Sequence, residues 1–186
     1  MPLISRLALS LIVLKLSAGA PQELTHLSVC EAISNRSAYS GRVVEVRGIV
    51  MAGGHGIYLA PSGNCEYKLV TRGVVWPNII NLVFPNNRSP DVYAHAPFEY
   101  DRQVIDDADR RVLKMGYRAG LDTETATYEG LFVTYNDLEK RVSPGVPNAF
   151  RIGFGPVGLG APAQLVIKTI KDVSVVKAVP EKPKPR

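Results

Sequence analysis

The spacing of apolar residues changes period several times along this 186-residue chain. Ser28 followed by Glu31 is a capping-box pattern, and Val29, Cys30 and Ile33 behind it share one helical face. Residues 35–41 end that helix, with Tyr39 placed to fold back onto the core. From Arg42 to Met51 the period is two: Val44, Val46 and Val50 alternate with Val43, Glu45, Arg47 and Ile49. That alternation predicts a half-buried strand. Gly48 falls on the inward set, where a glycine lets a strand bulge or coil sharply enough for a small barrel to close. Gly53-Gly54-His55-Gly56 is a turn, and Ile57-Tyr58-Leu59 begins the return strand.

Residues 66–75 and 78–84 are two further extended stretches, separated by Pro77, and residues 85–97 are a loop rich in Asn, Pro and Ser. Val104, Ile105, Ala108 and Val112 then recur at helical spacing. Asp101, Asp106 and Asp107 come early in that segment and Arg110, Arg111 and Lys114 late, an order that suits the helix dipole. Gly116 is a natural stop. Residues 126–135 return to strand composition around an interior Gly130, residues 138–148 are a proline-broken loop, and residues 164–176 form a long last strand. Short strands, two short helices and no strand–helix–strand alternation predict a mainly β fold, a small antiparallel β-barrel or sandwich. Its domain spans residues 21–178 and carries a loop and helix insertion around residues 85–116.

The ends of the chain read differently. Met1–Ala20 has Arg6 near its start, an apolar stretch from Leu7 to Leu16 and a small-residue exit, the layout of a signal peptide. The apolar run is too short for a comfortable membrane span, so the membrane is met only through this leader. Export, periplasmic or secreted, permits a disulfide. Cys30 and Cys65 are the only cysteines, so they allow one pairing. The alternative is two buried free thiols. Residues 179–186, with the run PEKPKPR, cannot bury anything and are expected to be a disordered tail. The leader and the tail hold four of the five net positive charges, and the body is near +1. A phosphate-tracking surface is therefore not expected, and nucleic acid is not an expected partner.

The segments SVCEAISNRSAYSGRVVEVRGIV, ATYEGLFV and GFGPVGLGAPAQLVIKTIKDV resemble a group of uncharacterised exported bacterial proteins that carry an OB-like barrel. The resemblance covers most of Ser28 to Val173 and implies a fold and a compartment, not an activity. The family pattern often has a histidine two residues after the phenylalanine of GFG. Pro156 stands there in this chain, so no role of that histidine carries over.

Candidate chemistry is sparse. Gly153 to Gly158 matches G-x-G-x-x-G, but Pro156 and the following Gly160-Ala161-Pro162 leave no helix start to face a pyrophosphate, so a structural glycine loop is the reading. No metal-ligand spacing, cofactor motif or nucleophile signature is present. Asp106, Asp107 and Asp109 read as a solvated helix face, and Asp122 and Glu124 do not reproduce a calcium loop. His55 at a glycine-flanked hairpin tip, Tyr58 beside it and an exposed Phe154 in the glycine-rich loop are the candidate ligand-binding residues. The expected function is an exported, non-catalytic binding or interaction module, its partner an envelope protein, a glycan or a small ligand. The alternative is a metal-dependent or hydrolytic enzyme using His55. A third reading, single-stranded nucleic-acid binding, rests on fold analogy alone.

Overall fold

The computed structural model describes residues 24–53, 56–71, 73–84, 96–116, 118, 121–136, 138, 153–155 and 160–178. The leader, the C-terminal tail, His55 and most of the 85–97 loop lie outside the described residues.

The capping box forms as expected. The Ser28 hydroxyl accepts from the Glu31 amide, and the Glu31 carboxylate accepts from the Ser28 amide at 2.8 Å. It starts α1 (Val29–Ser34), whose Val29, Ala32 and Ile33 are fully buried. A second short helix, α2 (Arg36–Tyr39), follows after Asn35, so that residue is a break between helices rather than an end. Ahead of α1, a strand absent from the sequence reading, β1 (Thr25–Ser28), pairs in parallel with β2 (Val43–Gly53).

The barrel has five strands: β2, β3 (Gly56–Ala60), β6 (Ile80–Val83), β7 (Thr123–Thr134) and β8 (Ala163–Val176). Their order around the barrel is β2-β3-β6-β8-β7, and β2–β7 pairing closes the ring. All neighbours are antiparallel except β6 and β8, which run parallel. The stretch 66–75, expected as one extended segment, instead holds a small separate hairpin, β4 (Val70–Thr71) with β5 (Val74–Val75).

Closure depends on long strands that change partner. Residues 43–50 of β2 face β7, and residues 49–53 face β3. Gly48 sits beside the changeover on the inward face, where a Cβ would lie 2.5 Å from the Ala60 carbonyl oxygen and 2.8 Å from side-chain atoms of Leu59 and Val29. The missing side chain is what lets α1 and β3 close over β2. β8 coils by two irregularities in its register with β7, one opposite Thr125/Thr127 and one opposite Glu129/Gly130. At the first, Asp172 takes a left-handed backbone with φ 50°. Inside, Val44, Val46, Leu59, Ile80, Phe132, Leu165 and Ile167 are at most 1% exposed and pack with Val29 and Ile33.

The Cys30–Cys65 disulfide is present, with Cα atoms 5.7 Å apart, and ties α1 to the loop after β3. Among the described residues no helix is long and apolar enough to cross a membrane.

Asp122 pins the start of β7 to the end of β8. Its carboxylate accepts from the Arg118 amide at 2.8 Å, the Arg118 guanidinium at 3.1 Å, the Ala178 amide at 3.1 Å and the Lys177 ammonium at 3.2 Å. The Arg118 guanidinium and these other donors hold the carboxyl well below the usual carboxylate range, against the opposing effect of burial. A depressed folded-state value stabilises the fold above the ordinary aspartate pKa of about 4, and that stabilisation is lost as pH falls through the folded-state value. Asp122→Asn is therefore expected to melt below the wild type at neutral pH. The gap should narrow as pH falls below about 4 in a melting series.

Candidate functional site

The third helix, α3 (Arg102–Lys114), starts where the Asp101 carboxylate accepts from the amides of Gln103 at 2.8 Å and Val104 at 3.4 Å. Its Ile105, Ala108 and Val112 are buried, the helical spacing seen in the sequence. The helix leaves a cleft of about 490 Å³ at one mouth of the barrel. Gly56 and Ile57 from β3, Leu82, Val83 and Phe84 at the end of β6, and Arg102, Ile105, Asp106 and Asp109 from α3 line it. The floor is apolar and the helix side is charged. Phe84 meets Tyr128 edge-on, with ring centroids 6.2 Å apart.

The register of β7 brings a further acid to this end. Glu124 opposes Val50, Ala126 opposes Gly48 and Tyr128 opposes Val46, so Glu124 belongs to the inward-facing set of the strand. Burial, and then the charge of Asp109, push the Glu124 carboxyl above its ordinary range. Burial and the charge of Asp106 do the same to Asp109, although its residue surface is exposed. Tyr128, 3% exposed, has its phenol raised by burial and then by the charges of Glu124 and Asp109. Asp106 has Arg102 at 3.8 Å, and Asp107 pairs with Arg110. Among the described residues neither Asp109 nor Glu124 has an ion-pair or hydrogen-bond partner. Two carboxyls, each raised by burial and then by a neighbouring aspartate, one of them lining the cleft, mark a candidate functional site.

The sign of the Glu124 shift makes a stability prediction. A raised folded-state value favours the fold below the ordinary glutamate pKa of about 4.3 and works against it as pH rises through the folded-state value. Glu124→Gln is expected to raise the melting temperature of the ligand-free protein at pH 7. The gain should vanish below about pH 4 in thermal melts.

A second charged cluster lies on the outer face. Glu45 and Glu129 are direct cross-strand partners, a like-charge pairing that costs stability alone. Lys171 bridges both, reaching Glu129 at 2.9 Å. Lys168 reaches Glu129 at 2.6 Å, and His26 Nδ1 lies 2.7 Å from Glu45. Each acid has a base, so this cluster reads as a clamp across β1, β2, β7 and β8. Among the described residues no group of three or more His, Cys, Asp or Glu is placed to hold a metal ion.

Of the residues singled out in the sequence, His55 lies outside the described residues. Tyr58 and Phe154 come together, but away from the mouth. Tyr58 is on the outward set of β3, opposite Asn81 of β6. Residues 153–155 pack on that face: a Cβ on Gly155, whose φ is +92°, would lie 2.8 Å from the Tyr58 hydroxyl oxygen and 3.2 Å from Asn81 Oδ1. Phe154 bonds Ala161 through both backbone groups and stacks on Tyr135 with ring centroids 4.6 Å apart. Tyr58 is 3% and Phe154 6% exposed, so Phe154 is covered rather than exposed as the sequence suggested. Asp109 and Glu124 were the residues missed. The alternation Glu124, Ala126, Tyr128 against Thr123, Thr125, Thr127 carries the signal that Glu124 faces inward. No protein-family model, curated protein or solved structure matches this chain.

Proposed function

We propose that the protein is an exported binding module on an OB-like barrel, and that its ligand sits in the cleft at the barrel mouth. The signal-like leader and the disulfide support export. The OB-like reading is supported by the strand order. Counted along the chain, the five barrel strands run first-second-third-fifth-fourth and back to the first, the third and fifth are parallel, and α3 lies between the third and fourth. The observation that carries the binding reading is the cleft itself. At about 490 Å³ it falls within the roughly 300–1,000 Å³ of small-ligand sites, and it joins an apolar floor to a few charged groups.

The test is a thermal-shift panel of the whole protein against short aliphatic amines, alcohols and acids, cell-wall sugars and a single-stranded oligonucleotide. A ligand at 100 times its dissociation constant adds about 2.7 kcal/mol, a shift of about 5–10 °C for a domain of this size. The shift should disappear in Arg102→Trp, which places a large ring in the cleft from an exposed helix position. A flat panel, or a shift unchanged by that substitution, would remove the cleft from the account.

A further inference from the structure

We infer that the end of the barrel where α3 and β8 finish is a docking surface for an anionic lipid membrane. None of its residues lines the cleft, so it is a second surface beside the proposed ligand site. The sequence places membrane contact only in the leader, and this contact lies outside it.

The surface is built around Asp122. Its side chain is fully covered and holds Arg118, Lys177 and the Ala178 amide, and the Lys177 ammonium also donates to the Gly116 carbonyl. This knot fixes the exit of α3, the start of β7 and the end of β8 to one another. Leu113 and Met115 come just before Gly116, Leu121 just before Asp122 and Val176 just before Lys177. These four side chains are 71%, 42%, 61% and 62% exposed. Nine large hydrophobics are exposed among the described residues, so four at one knot are a concentration rather than the usual scatter. Val112 beside Leu113 is buried, so the last turn of α3 is apolar on its outward side as well as its inward one.

The charge around the patch has one dominant sign. After Asp109 the chain carries Arg110, Arg111, Lys114 and Arg118 before the next acid, Asp122. Asp107 pairs with Arg110, and Arg111 and Lys114 are exposed beside Leu113. The side chains of Arg118 and Lys177 stay 56% and 48% exposed while they neutralise Asp122. Glu124 opposes Val175 but belongs to the inward set of β7, not to the side of Val176. The described residues end at Ala178, on the same knot, and the eight residues after it carry Lys182, Lys184 and Arg186 against Glu181.

Aliphatic side chains ringed by Lys and Arg suit an anionic bilayer. The apolar groups enter the headgroup boundary, and the basic stems lie along it with their charges at the lipid phosphates. Protein interfaces are depleted in lysine and anchored by aromatic rings, and single-stranded nucleic acid is held by stacking on such rings. Among the described residues this patch has two lysines, Lys114 and Lys177, and no ring. The knot also holds the patch ready-formed, so docking orders little chain.

The test is co-sedimentation of the whole protein with vesicles of phosphatidylcholine alone or mixed with phosphatidylglycerol. The leader is common to all variants, so the reading is the difference between them. Arg111→Gln/Lys114→Gln should weaken binding to the anionic vesicles about twentyfold, at about fivefold per base, and leave neutral vesicles unchanged. Leu113→Gln/Leu121→Gln should weaken it about tenfold, with a melting temperature within about 2 °C of the wild type. A site-specific reading comes from brominated lipid chains. They should quench Leu121→Trp and not Met51→Trp, a control at an exposed position of β2; the native Trp76 is buried in both. Equal binding to the two vesicles, no vesicle binding, or equal quenching at positions 51 and 121 would overturn the inference. So would wild-type binding by the leucine variant, which would leave a basic surface for some other polyanion. Each of these outcomes leaves the cleft untouched.

Discussion

Gly130→Ala is expected to lower stability by about 3 kcal/mol or more and the melting temperature by about 6–12 °C. Gly130 lies inside β7, opposite Val44 on one side and Ile167 on the other, at a register irregularity with β8. A Cβ there would stand 2.2 Å from the Val166 carbonyl oxygen, 2.9 Å from its carbonyl carbon and 3.2 Å from Ile167 Cα. All three atoms are backbone of the neighbouring strand, so no rotamer change relieves the clash. β7 pairs with both β2 and β8, and pushing β8 away opens the ring at a barrel joint. Gly63→Ala is the control, because a Cβ on Gly63 has no atom within 4 Å. A domain is stable by only about 5–15 kcal/mol, so the first variant should also express poorly. Melting of Gly130→Ala within about 2 °C of the wild type would show that β8 does not sit against β7 as described.

Removal of the Cys30–Cys65 bridge is the second large effect. The cysteines are 35 residues apart, and closing such a loop in the unfolded chain is worth about 3–4 kcal/mol. Reduction, or a Cys30→Ser/Cys65→Ser double variant, should lower the melting temperature by about 7–15 °C. The loss should be felt first in the stretch after β3. From 61 to 69 it has no strand or helix of its own, and its holds include the bridge, the Asn78 amide donating to the Tyr67 carbonyl at 2.8 Å, the Trp76 amide donating to the Leu69 carbonyl at 2.9 Å, and the buried Leu69. Alkylation of the unreduced, denatured protein should add no groups, and alkylation after reduction should add two. Two groups added without reductant would contradict the bridge and the export argument together.

The residues that wrote themselves into the sequence are those whose structure is local. Ser28 and Glu31 cap α1, Val44 and Val46 alternate into the core, and Gly116, with φ +68°, ends the turn after α3. Gly48 and Gly130 were legible as strand glycines, although the atoms they make room for belong to distant strands. β1 was not legible, because four residues with a mixed pattern become a strand only when β2 lies beside them in parallel. The parallel β6–β8 pair is a contact between segments some eighty residues apart and leaves no local trace. The candidate site was hidden for the same reason. Asp109 looks like one more acid on a solvated helix and Glu124 like a turn residue. Only the lie of α3 across the barrel mouth brings their charges together. The Tyr58 and Phe154 segments do meet, but Gly155 packs against Tyr58 and the Phe154 ring stacks on Tyr135, a burial that aromatic spacing does not announce.

The most direct measurement is an amide chemical-shift map of the protein titrated with the member of the thermal-shift panel that stabilises it most. The account predicts saturable shifts centred on Gly56, Ile57, Leu82, Phe84, Asp109 and Glu124, with the outer-face residues Tyr58, Asn81 and Phe154 moving little. Shifts centred instead on Tyr58, Asn81 and residues 153–155, or no saturable shifts at all, would contradict a binding site at the barrel mouth.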